Sequence, residues 1–156
     1  MDQLAVWIEH WTLAEALRRP GALYPLVNAA HVLGIGLLLG AILPLDLRLL
    51  LGGSTPLQVL APFLSRAAGI GLTLALLTGF ALFAVKPREY LGNGAFIWKM
   101  VLLSLALINV ALQHVNPGWA RVVRHGTVDA PTRILAALSV LAWLGCLVAG
   151  RWIGFL

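Results

Sequence analysis

The chain has 156 residues, of which 60% are hydrophobic and 11% charged, whereas a soluble domain carries about 25% charge. That balance makes lipid the principal solvent, and four spans of about 20 residues with short loops consume nearly the whole chain. No room is left for a separate soluble catalytic domain, and the net charge of +5 sits mostly beside apolar runs, where it meets headgroups rather than nucleic acid.

The first segment, residues 2–19, places Leu4, Trp7, Ile8, Trp11 and Ala14 at helical spacing, with Asp2, Glu9, Glu15 and Arg18 mostly elsewhere. It is an amphipathic helix too polar to span, expected in the interface plane and ended by Pro20 and Gly21. Asp2 and Glu9 stand where a cleavable signal would be basic, so the first true span is expected to act as the insertion signal.

The first span is expected at about residues 22–45. Its Gly36 and Gly40 form a GxxxG pair that permits close helix contact and a homo-oligomer. A polar turn, LGGSTP, follows at residues 51–56. The second span is expected at about 67–85, before KPREY, and the third at about 95–115, before Asn116 and Pro117. A basic loop holds Arg121, Arg124 and His125, and the fourth span covers about 134–154. Strand alternation and short-period repeats are absent, so the fold class is all-α: one transmembrane domain, a four-helix bundle with an interfacial N-terminal helix.

With four spans, the termini share one face, side A. Its loops carry Arg18, Arg19, Lys86 and Arg88, whereas side B carries Arg48, Arg66, Arg121, Arg124 and Arg133. The basic balance leans toward side B as cytoplasmic, which puts both termini in the periplasm of a bacterial inner membrane.

Polar side chains inside spans are costly and mark sites or packing contacts. They are Asn28, His31, Lys99, Asn109, Gln113, His114 and Arg151. His31 lies about 13 Å below side A at 1.5 Å per residue. Its Nε2 suits a haem iron, copper or a proton relay, or the ring simply bonds a neighbouring helix. Asn109, Gln113 and Asn116 share a helix face, with His114 beside it as a second ligand or an interfacial residue. His31 and His114 differ in depth by roughly 15 Å, which favours two metal sites over one shared iron. Lys99 and Arg151 can balance a haem propionate or another anion, or snorkel to headgroups. Asp46 and Arg48 are expected at the side B headgroups, with Asp46 paired to Arg66, and His10 and His125 are expected to be solvated. Cys146 stands alone, so neither a disulfide nor a CxxC centre exists. Phosphate-cradling loops, paired carboxylates and hydrolytic constellations are missing.

The stretches LYPLVNAAHVLGIGLLLGAILPLDLRLLLG, LTGFALFA, FIWKMVLLSLALINVALQH and WLGCLVAGRWI together resemble a family of four-span bacterial membrane proteins with a domain of unknown function. More distantly, the histidine before a glycine-containing run and the lysine opening a later span are similar to HemJ-type protoporphyrinogen oxidases and CopD-type copper proteins. The resemblance implies a haem or copper theme, with His31 and Lys99 at the matching positions.

Three readings are open at this point. In the first, the chain is a membrane redox protein, an oxidoreductase or electron carrier holding haem b on His31. Asn28, Lys99 and Arg151 would then flank the cofactor, His114 would serve a second site, and quinone or a redox protein would be the partner. In the second, His31, His114 and Met100 handle copper. In the third, the chain is a non-catalytic accessory subunit whose polar groups lock helices together.

Overall fold

The structure is a computed structural model that describes residues 11–155. The helices are α1 (Thr12–Arg18), α2 (Leu23–Leu51), α3 (Leu57–Val85), α4 (Pro87–Leu91), α5 (Gly94–Val115), α6 (Pro117–His125) and α7 (Ala130–Trp152), followed by a 3-10 turn, Ile153–Phe155. No strand occurs among the described residues. Four of the helices are long and apolar enough to cross a membrane. Their outer faces expose Leu33, Phe63, Leu77, Trp98 and Leu141, as lipid solvation requires.

α1 carries the amphipathic pattern expected of the N-terminal segment. It buries Ala14 and Leu17, sets Trp11 against Phe80 at 6.0 Å, and donates from Arg18 Nε to the Val85 carbonyl at 3.2 Å. It therefore docks at the side A end of α3. The remainder of that segment, with Trp7 and His10, lies outside the described residues.

α2 does not stop at residue 45. It continues through Pro44 to Leu51, because Leu45 and Leu49 pack on Leu57, Ala61, Val122 and Ala136. α3 likewise begins at Leu57, ten residues before the expected start at 67, with Pro62 inside it. Both prolines forfeit a backbone bond, which neighbouring helices make tolerable. Gly52, at φ 76°, ends α2 in a conformation that side-chain-bearing residues avoid. Arg48 Nη2 donates to the Thr55 carbonyl at 2.7 Å and folds the LGGSTP turn back on the helix. The expected basic loop is mostly the helix α6, capped by the Asn116 side chain, which accepts from Gly118 N at 3.0 Å.

α2 packs along α3 and α5 along α7, and α2 meets α7 to join the two pairs. The α2–α3 crossing is close because Gly34 and Gly71 face each other's backbone. A Cβ on Gly34 would lie 2.7 Å from Ala75 N. Gly36 and Gly40, expected to form the contact face, point away: a Cβ on either meets nothing within 4 Å. Neither α2 nor α3 brings its backbone near α5. Side chains bridge that gap at both ends: Phe83 stacks on Phe96 at 5.5 Å near side A, and Ser65 meets His114 near side B.

Candidate functional site

His31 is half-buried on α2 against α3. Its Nδ1 lies 3.1 Å from Thr78 Oγ1, and the Thr78 hydroxyl donates to the Leu74 carbonyl at 2.6 Å. A hydroxyl has one proton. With that proton committed to Leu74, Thr78 can only accept, so Nδ1 of the neutral ring carries the hydrogen. The Ala75 carbonyl adds a second acceptor beside the ring. Nε2 is thereby left with its lone pair. Gly79 makes the placement possible, since a Cβ there would stand 2.9 Å from His31 Cε1.

Lys99, on α5, is close enough to act electrostatically on His31. Its stem lies over Gly150 of α7, with Cδ and Cε 3.6 Å from where a Cβ would stand. The Cys146 thiol faces the Lys99 carbonyl at 3.9 Å. The side A layer thus joins His31, Thr78 and Lys99. Asn28, three residues before His31, is exposed. Arg151 is also exposed, its guanidinium over the Phe155 ring at 4.7 Å.

His114 has both ring nitrogens engaged. Nδ1 lies 2.8 Å from the Val110 carbonyl, which only accepts, so Nδ1 is the donor. Nε2 then accepts from the Ser65 hydroxyl at 3.2 Å. Trp119 packs on the ring at 5.2 Å. This geometry ties α5 to α3. Met100 is exposed, and among the described residues no three His, Cys, Asp or Glu side chains gather as a metal centre.

Asn109, Gln113 and Asn116 do share a face, and it is turned to α7. Asn109 Nδ2 donates to the Leu135 carbonyl at 3.1 Å, and Gln113 Nε2 to the Thr132 carbonyl at 3.3 Å. Asn116 Nδ2 reaches Thr132 Oγ1 at 3.2 Å. Asp129 caps α7 by accepting from Thr132 N at 3.0 Å and pairs with Arg121. These bonds to Thr132, together with the Arg121 pair, hold the Asp129 carboxyl below the usual carboxylate range.

Asp46 departs furthest from expectation. It faces the protein interior, whereas Arg66 is exposed. It is 3% exposed, and the Ser139 hydroxyl hydrogen-bonds its carboxylate. The signal was present in the spacing: Leu38, Ile42 and Asp46 follow each other at four residues and so share the inward face. Asp46 lines a cleft of about 380 Å³ between the two helix pairs, with Asn109, Gln113, His114, Ser139 and Trp143. Four buried polar atoms of those residues lack a protein partner: Asp46 Oδ2, Asn109 Oδ1, Gln113 Oε1 and Trp143 Nε1.

Comparison of the chain with protein-family models, curated proteins and solved structures gives no match.

Proposed function

We propose that the chain is a multi-pass membrane redox protein that holds one haem b through His31 Nε2. The observation that carries this reading is the Leu74–Thr78–His31 relay of hydrogen bonds. It favours the tautomer that leaves the Nε2 lone pair available, as an iron ligand would require. His31 would supply the nitrogen, and Lys99 would supply a cation on the facing helix pair for a propionate. Haem bound there would supply a reversible one-electron centre. Thr78 would hold the ring in orientation and Gly79 would keep the backbone close enough for it to do so. We assign His114 to helix packing rather than to a second haem or to copper, because Ser65 and Val110 already take its nitrogens. Quinone or a redox protein is the natural electron partner, the bacterial inner membrane the location, and side B the cytoplasmic face.

Protein purified after expression with ample haem will carry a reducible Soret band, and His31→Ala will remove it while leaving the fold intact. Colourless wild-type protein would refute the reading.

An accessory-subunit reading has one observation in its favour. Gly36 and Gly40 are both exposed on α2, and a Cβ on either meets nothing within 4 Å, so this face can seat another helix.

A further inference from the structure

We propose that the Asp46 cleft binds a small amphiphilic organic cation, with an ammonium group at one end and an apolar body at the other. The site is separate from the His31 layer, and the proposal does not depend on haem.

The charge balance of the cleft selects a cation. Asp46 is 3% exposed, Asn109 and Gln113 are each 8% exposed, and all three present an unpartnered oxygen. The amide orientations are not arbitrary. Asn109 Nδ2 and Gln113 Nε2 are spent on the Leu135 and Thr132 carbonyls, which can only accept. The free atoms Oδ1 and Oε1 are therefore true acceptors. Against these three acceptors stands one unpartnered donor, Trp143 Nε1. Among the described residues, no lysine or arginine lines the cleft. An intramembrane carboxylate without a cationic partner marks a ligand or ion pathway, and an ammonium supplies both the charge and the missing donors.

The walls select an apolar body. Leu38, Ile42, Leu72 and Val110 line the cleft, and its volume of about 380 Å³ falls within the range of ~300–1,000 Å³ typical of small-molecule sites. Trp119 and Trp143 add aromatic rings, which attract organic cations. Gly69 and Ala111, both exposed, mark the opening between α3 and α5, whose backbones do not meet. A ligand that partitions into the bilayer can enter there.

The test uses the full chain in lipid nanodiscs, titrated with 2-phenylethylammonium as the probe and followed by calorimetry. 2-Phenylethanol and 3-phenylpropionate serve as the neutral and anionic counterparts. The ammonium will bind saturably, the alcohol about tenfold more weakly and the carboxylate not at all, as expected for a charge-assisted contact. Asp46→Asn will weaken ammonium binding by about tenfold. Leu72→Trp, which fills the apolar end, will abolish binding without touching the acceptors, and it decides the matter if the Asp46 variant does not fold. Absence of ammonium binding, equal binding of alcohol and ammonium, or unchanged binding in either folded variant would overturn the proposal.

Discussion

At the scale of single residues, chemistry turns on where one proton sits. Thr78 cannot donate to His31 because its proton lies toward Leu74, so a hydroxyl on α3 decides which imidazole nitrogen is reactive on α2. Thr78→Val keeps the shape and removes the acceptor. It will lower haem retention and shift the midpoint potential, readable by redox titration of the Soret band, without mimicking the complete loss in His31→Ala. Asp129 offers a pH test. Its folded pKa is depressed, so its contribution to stability is present above the ordinary carboxylate pKa and disappears as pH falls through the lower folded value. Asp129→Ala will therefore cost about 1 kcal/mol near neutrality, the usual worth of an N-cap. Thermal unfolding in detergent will show the gap between variant and wild type closing in acid. His31 and the Asn109–Gln113–Asn116 face were legible from cost alone, since polar groups in a span are rare. Asp46 was not, because its position near a helix end matches that of a headgroup-facing residue. Only the i, i+4 spacing to Ile42 and Leu38 distinguishes the two.

At the scale of helices, small residues decide which pairs approach. Gly34 and Gly71 meet backbone across the α2–α3 crossing, whereas Gly36 and Gly40 do not. Gly34→Leu will force the pair apart and cost about 1–3 kcal/mol, as overpacking does. Gly36→Ala will change stability by no more than about 0.5 kcal/mol. Equal effects of the two, measured by thermal unfolding, would contradict this packing. The four spans and their order were readable from apolar length. The true starts and ends of α2 and α3 were not: Pro44, Pro62 and the polar residues at 65–66 look like interruptions, yet Leu45, Leu49, Leu57 and Ala61 bury against one another and carry the helices onward. Each of these helices has 29 residues, or roughly 44 Å, against a hydrocarbon core of about 30 Å. That excess permits tilt, and at side B Leu45, Leu49, Leu57 and Ala61 pack with Val122 of α6.

At the scale of the molecule, two helix pairs enclose chemistry at two depths. The side A layer holds His31 with Lys99, and the side B cleft holds Asp46 with the amides of α5. Asn93 Nδ2 donates to the Ile153 carbonyl at 3.2 Å, which places the start of α5 and the end of α7 on one face, as an even number of crossings demands. The basic residues predict side B as the cytoplasmic face. In a Cys146→Ser background, Ser54→Cys on side B will resist a membrane-impermeant thiol reagent applied to intact cells, whereas Gly92→Cys on side A will react; the reverse pattern would invert the topology. The most direct test of the redox reading is chemical rescue at His31. His31→Gly will lose the Soret band, and imidazole added to the purified variant will restore it by filling the vacated ligand position. A band that persists in His31→Gly without imidazole would contradict the assignment of His31 as the iron ligand.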